Sequence, residues 1–200
     1  MPRVKKTSGQ RVYQVEGTFN SSAIALQLGY SRMLTDNFSY GVSLKYVQET
    51  IDIYSANNFL FDGGILYYTG LGSLRLAAVF QNFGVESKFI NDPFKMPAVI
   101  KLGLSAEVLG DNNSEYRLTT ILEALHPNDG DEKLNAGLEL AWRNIITLRG
   151  GYKFFYDEET YSLGVGFNPN LDVPAQIDFA YSDYNRLGKI LRFTLHLGLL

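Results

Sequence analysis

Most of this chain alternates apolar and polar residues with a period of two, in stretches of about ten residues. In the closing segment LRFTLHLGLL (191–200), leucine or phenylalanine fills the first five odd positions, while Arg192, Thr194, His196 and Gly198 fill the even ones. Successive side chains of a β-strand point to opposite faces, so this period predicts strands with one apolar and one polar face. Alternation alone does not say which face meets water.

About twelve strands are predicted from this pattern. They cover residues 12–19, 23–33, 38–50, 59–68, 74–81, 98–109, 115–125, 133–143, 146–154, 161–167, 174–182 and 190–199. Many approach the roughly 9–11 residues of a tilted membrane-spanning strand, which is long beside the roughly 5–6 of soluble sheets. The expected fold class is therefore all-β: an antiparallel up-and-down transmembrane β-barrel at 11–200, preceded by a disordered segment at 1–10.

The predicted links between these strands alternate in length. Short links rich in Gly, Asn and Asp lie at 34–37, 69–73, 110–113, 143–144 and 168–172. More open links lie between them, at 52–58, 82–97, 126–131, 156–159 and 183–188. Short turns at one end and longer loops at the other are typical of outer-membrane barrels, whose short turns are periplasmic.

The two faces of the predicted strands differ in chemistry. The apolar face carries no charge in the clearest strands, and aromatic rings gather towards strand ends, where they are expected to form interfacial girdles. The polar face predicts a hydrated lumen lined by Lys45, Arg75, Gln81, Lys101, Glu107, Arg117, Glu123, Glu139, Arg149, Arg192 and His196. Pairs of opposite charges on neighbouring strands of a barrel interior explain these residues better than a catalytic carboxylate pair or an anion-binding site does.

Signatures of enzymes and metal sites are weak in this sequence. The chain has no cysteine, and its two histidines, His126 and His196, have no second ligand at metal-binding spacing. The acidic segment NDGDE (128–132) lacks the full calcium loop with its closing Glu. The formal charge of -3 gives no reason to expect nucleic acid as a partner. We expect no catalytic residue, no metal and no cofactor.

Three segments resemble a known family: LTDNFSYGVSLKYVQETID (34–52), FDGGILYYTGLGSLRLAAVFQNFG (61–84) and FKMPAVIKLGLSAEVL (94–109). They are similar to the PorV/PorQ group of the FadL-like outer-membrane barrels of Bacteroidetes-type bacteria. The resemblance implies a fold like that of the long-chain fatty-acid transporter, with fourteen strands, and in some members a role in type IX secretion as carriers of cargo proteins. Compared with that family pattern, the sequence predicts two strands too few and no N-terminal hatch, so a fragment or a trimmed relative is expected.

The expected function follows from these features together. We expect a protein of the bacterial outer membrane that transports or binds a hydrophobic compound, or that serves type IX secretion and meets a secreted cargo protein. MPRVKKTSGQ (1–10) has no apolar stretch of a secretory signal, so a mature or truncated form is expected. The alternative is a soluble β-barrel that binds a small apolar ligand.

The loop at 82–97 is the expected place for a ligand or partner. Its apolar side chains are Phe83, Phe89, Ile90, Phe94 and Met96. A loop this apolar is expected to fold over the barrel mouth or to receive a ligand or cargo domain. The other reading is that these side chains pack against their own rim.

Overall fold

The computed structural model describes residues 3–7, 15–88, 93–169 and 175–198, with side chains from residue 20 onward. Its strands are β1 (Arg3–Thr7), β2 (Val15–Thr35), β3 (Phe38–Ile51), β4 (Tyr54–Tyr68), β5 (Arg75–Gly84), β6 (Ser87–Lys88), β7 (Pro93–Phe94), β8 (Val99–Leu109), β9 (Tyr116–Pro127), β10 (Lys133–Trp142), β11 (Ile146–Phe154), β12 (Tyr161–Phe167), β13 (Ala175–Asp183) and β14 (Lys189–Leu197). Asn185–Leu187 forms a short 3₁₀ turn. Within the described ranges, no helix is long and apolar enough to cross a membrane.

Twelve of the strands form one antiparallel sheet in the order β1-β2-β3-β4-β5-β8-β9-β10-β11-β12-β13-β14. β6 and β7 form a separate small hairpin in the link between β5 and β8. The prediction of an all-β, antiparallel, up-and-down chain with about twelve strands is confirmed. The predicted closure of the barrel is not: among the described residues no ladder joins β14 to β1 or β2, so the sheet has two free edges.

The start of the chain differs from the expectation in two respects. β1 is a strand inside the segment expected to be disordered, and it pairs with Val15–Asn20 of β2. The separate strands expected at 12–19 and 23–33 are joined in β2, which is 21 residues long. The polar residues between them resemble a turn in sequence, but Asn20 pairs with Arg3 and Ser21 pairs with Ile51. Ladder bonds to neighbouring strands therefore outweigh the local preference for a turn.

The link between β3 and β4 is also tighter than expected. An open link was expected at 52–58, but β4 begins at Tyr54, and the turn consists of Asp52 and Ile53. Asp52 has a φ of 59°, a conformation that Asp adopts more readily than most residues. Asn57 and Asn58 resemble loop residues in sequence, yet they lie in the ladder opposite Gln48 and Val47. β3 and β4 therefore form a long hairpin.

The turn between β10 and β11 matches the predicted two-residue link at 143–144. Both Arg143 and Asn144 have positive φ, 51° and 57°, as a type I′ hairpin turn requires. The amide of Ile145 donates to the carbonyl of Trp142 at 2.9 Å and closes the turn. The Arg143 guanidinium donates to the Glu115 carboxylate at 2.8 Å, which ties this turn to the start of β9.

Very little of the chain is buried. Among the described residues the buried apolar side chains are Ala56, Leu60, Ala98 and Ala141. The accessible surface is 14,554 Å², whereas a compact soluble protein of 22.4 kDa exposes about 9,400 Å². Large apolar side chains remain exposed along the sheet, including Leu28 at 80%. Within the described residues, few large apolar side chains are therefore packed away from the surface.

The turn between β8 and β9 makes a prediction about pH. The Asp111 carboxylate accepts hydrogen bonds from the Asn113 amide and the Ser114 hydroxyl, both at 2.9 Å, and these bonds hold the pKa of Asp111 below its ordinary value of 3.8. A lowered pKa stabilises the folded turn above pH 3.8, and this contribution is lost as the pH falls through the lower folded pKa. NMR titration of the carboxyl carbon should give a midpoint below 3.8. In a Ser114→Ala variant the midpoint should move back towards 3.8, and an unchanged midpoint would contradict this account.

Candidate functional site

The strand register collects the polar residues of the sheet on one side, which we call the polar face. Glu139 lies opposite Thr119 and Arg149, and Arg149 lies opposite Gly164. By this register all eleven residues predicted to line a lumen lie on the polar face. The opposite side, the apolar face, carries most of the leucines and most of the aromatic rings.

The largest charge cluster on the polar face is centred on Arg149 in β11. Its guanidinium donates to Glu139 at 2.8 Å and to Asp178 at 2.6 Å. Glu139 also lies 3.8 Å from the Arg117 guanidinium, and Asp178 accepts from the Gln176 amide at 2.7 Å. Two cations and two anions therefore neutralise one another across β9, β10, β11 and β13.

Two glycines allow Arg149 to reach Asp178. The two residues lie on β11 and β13, two strand spacings or about 9–10 Å apart, with β12 between them. Gly164 and Gly166 of β12 face the Arg149 side chain: a Cβ on Gly166 would lie 2.8 Å from an Asp178 carboxylate oxygen and 3.1 Å from a guanidinium nitrogen. The ion pair crosses β12 because these two positions lack side chains.

A second cluster lies on β3 and β4. The Lys45 ammonium lies 2.9 Å from the Asp62 carboxylate and donates to the Asn82 side-chain carbonyl at 2.7 Å. Asp62 also accepts from the Ser43 hydroxyl and the Asn82 backbone amide, both at 2.8 Å. Asn82 has a φ of 60° beside an irregularity in the β4–β5 register, which turns its amide towards Asp62.

A third cluster links β5 and β8. Arg75 donates to Glu107 at 2.5 Å, and the Ser73 hydroxyl accepts from the Glu107 amide at 2.7 Å. Glu123 on β9 accepts from the Asn135 amide at 3.0 Å. Seven of the eleven predicted residues thus enter polar contacts, namely Lys45, Arg75, Glu107, Arg117, Glu123, Glu139 and Arg149.

The other four predicted residues lie on the same face without an ion pair within the described part of the chain. Gln81 and Lys101 are half-buried on β5 and β8. Arg192 and His196 are exposed on β14, the edge strand, opposite Ala180 and Gln176. The register therefore places these four residues on the polar face, and Lys101, Arg192 and His196 have no carboxylate partner among the described residues.

The polar face is hollow beside the Arg149 cluster. A concavity of about 300 Å³ is lined by Glu139, Arg149 and Arg192 over a floor that includes Gly137, Gly151 and Gly164. The described residues contain no group of three or more His, Cys, Asp or Glu side chains that would hold a metal ion. The arrangement provides fixed, mutually neutralised charges and room for water, and it provides no nucleophile paired with a base.

The loop between β5 and β8 packs against the polar face at the start of β4. The Asn58 side chain donates to the Val85 carbonyl at 2.5 Å, and the Ser87 hydroxyl donates to the Asn57 carbonyl at 3.1 Å. Most of the buried side chains of the described chain lie at this contact or at the end of the loop: Ala56, Asn58, Leu60, Ser87 and Ala98. This loop is therefore held down at one end of the polar face.

Three of the five predicted apolar residues of this loop, Phe83, Phe94 and Met96, lie in the described part of the chain. Phe83 belongs to the apolar face, where its ring meets Phe80 edge-on at 5.6 Å. Phe94 and Met96 are half-buried in the loop, and the Met96 carbonyl accepts from the Asn128 side chain at 3.0 Å. Phe89 and Ile90 lie outside the described residues. The structure thus separates Phe83 from the other described loop residues.

Asp62 and Asp178 are the two partners that the sequence analysis missed. Each supplies a carboxylate to its cluster, and they pair with Lys45 and Arg149 respectively. The alternation in sequence would have placed Asp178 on the polar face, because it lies between Ile177 and Phe179 in a predicted strand. Asp62 lies in a strand predicted only weakly, beside two glycines, where the alternation is harder to recognise.

The apolar face carries two rows of aromatic rings, which are exposed or half-buried. One row lies near the short turns and includes the pairs Tyr30–Tyr40 and Phe38–Tyr67, and the other lies near the longer links and includes Tyr46–Phe59, Phe61–Phe80, Tyr152–Phe154 and Tyr161–Tyr181. On β3 and on β12 the rows are six residues apart, as Tyr40–Tyr46 and Tyr161–Phe167 show. Six residues span about 20 Å, close to the roughly 25 Å apolar band of outer-membrane barrels.

Gly166 should be required for the Arg149–Asp178 ion pair. Gly166→Ala places a Cβ against both partners and should lower the free energy of unfolding by about 1–2 kcal/mol, because a charge-assisted contact is displaced. Urea unfolding of the chain folded in detergent micelles measures the loss. Gly150→Ala is the matched control, because its Cβ would meet Leu163 at an ordinary 4.0 Å.

A double-mutant cycle distinguishes loss of the ion pair from general crowding. In an Asp178→Asn background the ion pair is already weakened, so Gly166→Ala should cost less than in the parent. Equal costs in both backgrounds would mean that the glycine serves only backbone packing.

Comparison of the chain with protein-family models and with curated proteins finds no match. The likeness to the PorV/PorQ group therefore rests on the three sequence segments at 34–52, 61–84 and 94–109.

Proposed function

We propose that this chain is a membrane-embedded β-barrel protein of the bacterial outer membrane, with its apolar face towards lipid and its polar face towards a hydrated lumen. One observation carries this proposal: from residue 20 onward, where side chains are described, the apolar face is largely exposed and its charged or titratable side chains lie only near strand ends. They are Arg32, His126, Asp183 and Lys189. A surface of this kind is stable where the surrounding solvent is hydrocarbon.

Three further features support the same orientation. The backbone groups of the inner strands are paired along antiparallel ladders, as a structure within lipid requires. The two aromatic rows are spaced like interfacial girdles. The charged side chains of the polar face are paired with one another, which suits a confined, water-filled space.

A soluble barrel with an apolar ligand site explains these features less well. Such a protein packs its apolar face inside, but the buried apolar residues of the described chain are three alanines and Leu60. The described leucines of β14 are exposed by 52–66%. Turning this face inward would place the Arg149 and Lys45 clusters on the outside and would leave the aromatic rows without a role.

The finer role is also a proposal, supported by the resemblance and by the loop at 82–97. The FadL-like family includes carriers of hydrophobic compounds and accessories of type IX secretion. In this chain the loop is held against one end of the polar face by Asn58 and Ser87, and it carries Phe94 and Met96. We assign the capture of a hydrophobic compound or of a cargo protein to this loop.

The orientation of the faces is tested on β14 with two neighbouring residues. Leu195 lies on the apolar face opposite Ile177, so Leu195→Arg should cost about 2–4 kcal/mol of stability if it meets the middle of a bilayer. Thr194 lies opposite Asp178 on the polar face, so Thr194→Arg gains a nearby anion and should cost much less. Folding yields in liposomes, read by heat-modifiable migration on gels, measure both variants.

Two results would overturn the membrane proposal. One is insertion of Leu195→Arg as readily as the parent while Thr194→Arg fails, because the faces would then be reversed. The other is a parent chain that stays fully soluble and monodisperse in buffer without detergent, as a soluble barrel does.

The role of the loop is tested by removing its aromatic rings. Phe89→Ser with Phe94→Ser should weaken binding of a fluorescent long-chain fatty acid, or of a cargo domain, at least tenfold while the barrel still assembles. Phe83→Ser is the control, because Phe83 packs on the apolar face against Phe80 and should leave binding unchanged. Equal binding by the double variant and the parent would remove the loop from the function.

A further inference from the structure

The apolar face has a hollow that its own side chains leave open. In the described inner strands, Gly63 and Gly150 occupy apolar-face positions between larger apolar residues of the neighbouring strands. A Cβ on Gly63 would overlap the Phe80 ring, so that ring already covers the first glycine. A Cβ on Gly150 would meet nothing nearer than the Leu163 side chain at 4.0 Å. The space above Gly150 is therefore unfilled.

The hollow at Gly150 is elongated and opens towards one end of the strands. It has a volume of about 570 Å³, and Leu138 and Leu163 lie on its two sides. Tyr152 and Tyr161, which are ladder partners, lie at its end near the longer links, about 7 Å along the strand from Gly150. A hydrocarbon chain that passes these two rings fits lengthwise into the hollow. Within a bilayer it gains close packing there, because the van der Waals partners missing above Gly150 are restored.

Two opposite charges lie beside the tyrosine end of this hollow. Asp183 and Lys189 are ladder partners on the apolar face, and their charges act on the Tyr161 hydroxyl with opposite sign. The Lys189 ammonium lies 5.8 Å from the centre of the Tyr181 ring, and the Asp183 carboxylate accepts from the Thr160 hydroxyl at 3.3 Å. The described chain thus presents a cation and an anion side by side, with the capacity for further contacts.

A phosphoethanolamine headgroup has two charges that complement this pair. Its phosphate can accept hydrogen bonds from the Lys189 ammonium, and its own ammonium can donate to the Asp183 carboxylate. A choline headgroup has no N–H to donate, and a glycerol headgroup has no cation. The charge pair therefore favours ethanolamine over both of these headgroups.

We propose that the hollow at Gly150 and the Asp183–Lys189 pair together form a site for one membrane lipid with a phosphoethanolamine headgroup. The acyl chain lies over Gly150 between Leu138 and Leu163, and the headgroup lies against the charge pair at the outer aromatic row. This inference rests on the proposed membrane location and adds to it a lipid of defined headgroup.

Tryptophan quenching measures which lipid occupies the hollow. Trp142 is the only tryptophan of the chain, so a variant with Tyr152→Trp and Trp142→Phe has a single reporter, at the wall of the hollow. The variant is folded into phosphatidylcholine liposomes that contain increasing fractions of a lipid with brominated acyl chains, which quench tryptophan on contact. Brominated phosphatidylethanolamine should give half-quenching at a mole fraction about fivefold lower than brominated phosphatidylcholine or phosphatidylglycerol.

The parent chain is the control for bulk lipid. Trp142 lies on the apolar face at the other end of β10, opposite Ile146 and Tyr116, and away from the hollow. Its fluorescence should respond equally to the three brominated lipids.

Two pairs of variants in the reporter background test the two parts of the site. Gly150→Leu fills the hollow and should abolish the preference for phosphatidylethanolamine, whereas Ala78→Leu, which adds bulk to the same face on β5, should preserve it. Asp183→Asn should make phosphatidylethanolamine and phosphatidylglycerol equivalent. Asp178→Asn is its matched control, because Asp178 lies on the polar face of the same strand.

Insertion into the liposomes distinguishes failure of this site from failure of the membrane proposal. A chain that does not insert, as judged by heat-modifiable migration, contradicts both. An inserted chain whose reporter at the hollow responds equally to the three lipids overturns the lipid site alone. So does a preference that persists in Gly150→Leu or in Asp183→Asn, or one that Trp142 of the parent shares, because the lipid would then be enriched around the whole protein.

Discussion

The structure depends on the two-residue period of its strands, held in phase by an almost unbroken antiparallel register. Because each strand keeps its neighbour's phase, Leu138, Leu163 and Phe179 all point to the same side, and Glu139, Arg149 and Asp178 all point to the other. Apolar side chains on one side of a single sheet have no second layer to pack against. What stabilises this sheet is therefore decided by the medium that covers the apolar face.

The polar face is organised by small residues as much as by charges. The long Arg149 side chain lies across β12 because Gly164 and Gly166 of that strand have no side chains in its way. At Lys45 a small residue of the same strand, Ser43, donates a hydrogen bond to the shared Asp62. The high glycine content of the chain thus has a local use: it lets charges pair across strands without filling the space above the sheet.

Much of this fold is readable from the sequence because alternation is a local property. Strand positions from 98 onward, the turn at 143–144 and the face of every predicted polar residue follow from the period alone. The partners do not, because pairing Arg149 with Asp178 requires the register of three strands and the absence of side chains on β12. The merging of two predicted strands into β2, and the burial of Asn58, were missed because contacts with distant segments override local turn preferences.

The distribution of buried residues connects stability with function. In the described chain, side chains are buried mainly where the loop after β5 covers the start of β4, around Asn58, Leu60 and Ser87. Elsewhere the sheet is held by its ladders and by polar contacts that are partly exposed and so individually weak. A loop that contributes most of the internal packing is poorly suited to open as a whole. If the loop captures a compound or a cargo domain, as proposed, the contact is made beyond this anchor, around Phe94 and Met96, while Asn58 and Ser87 keep the loop in place.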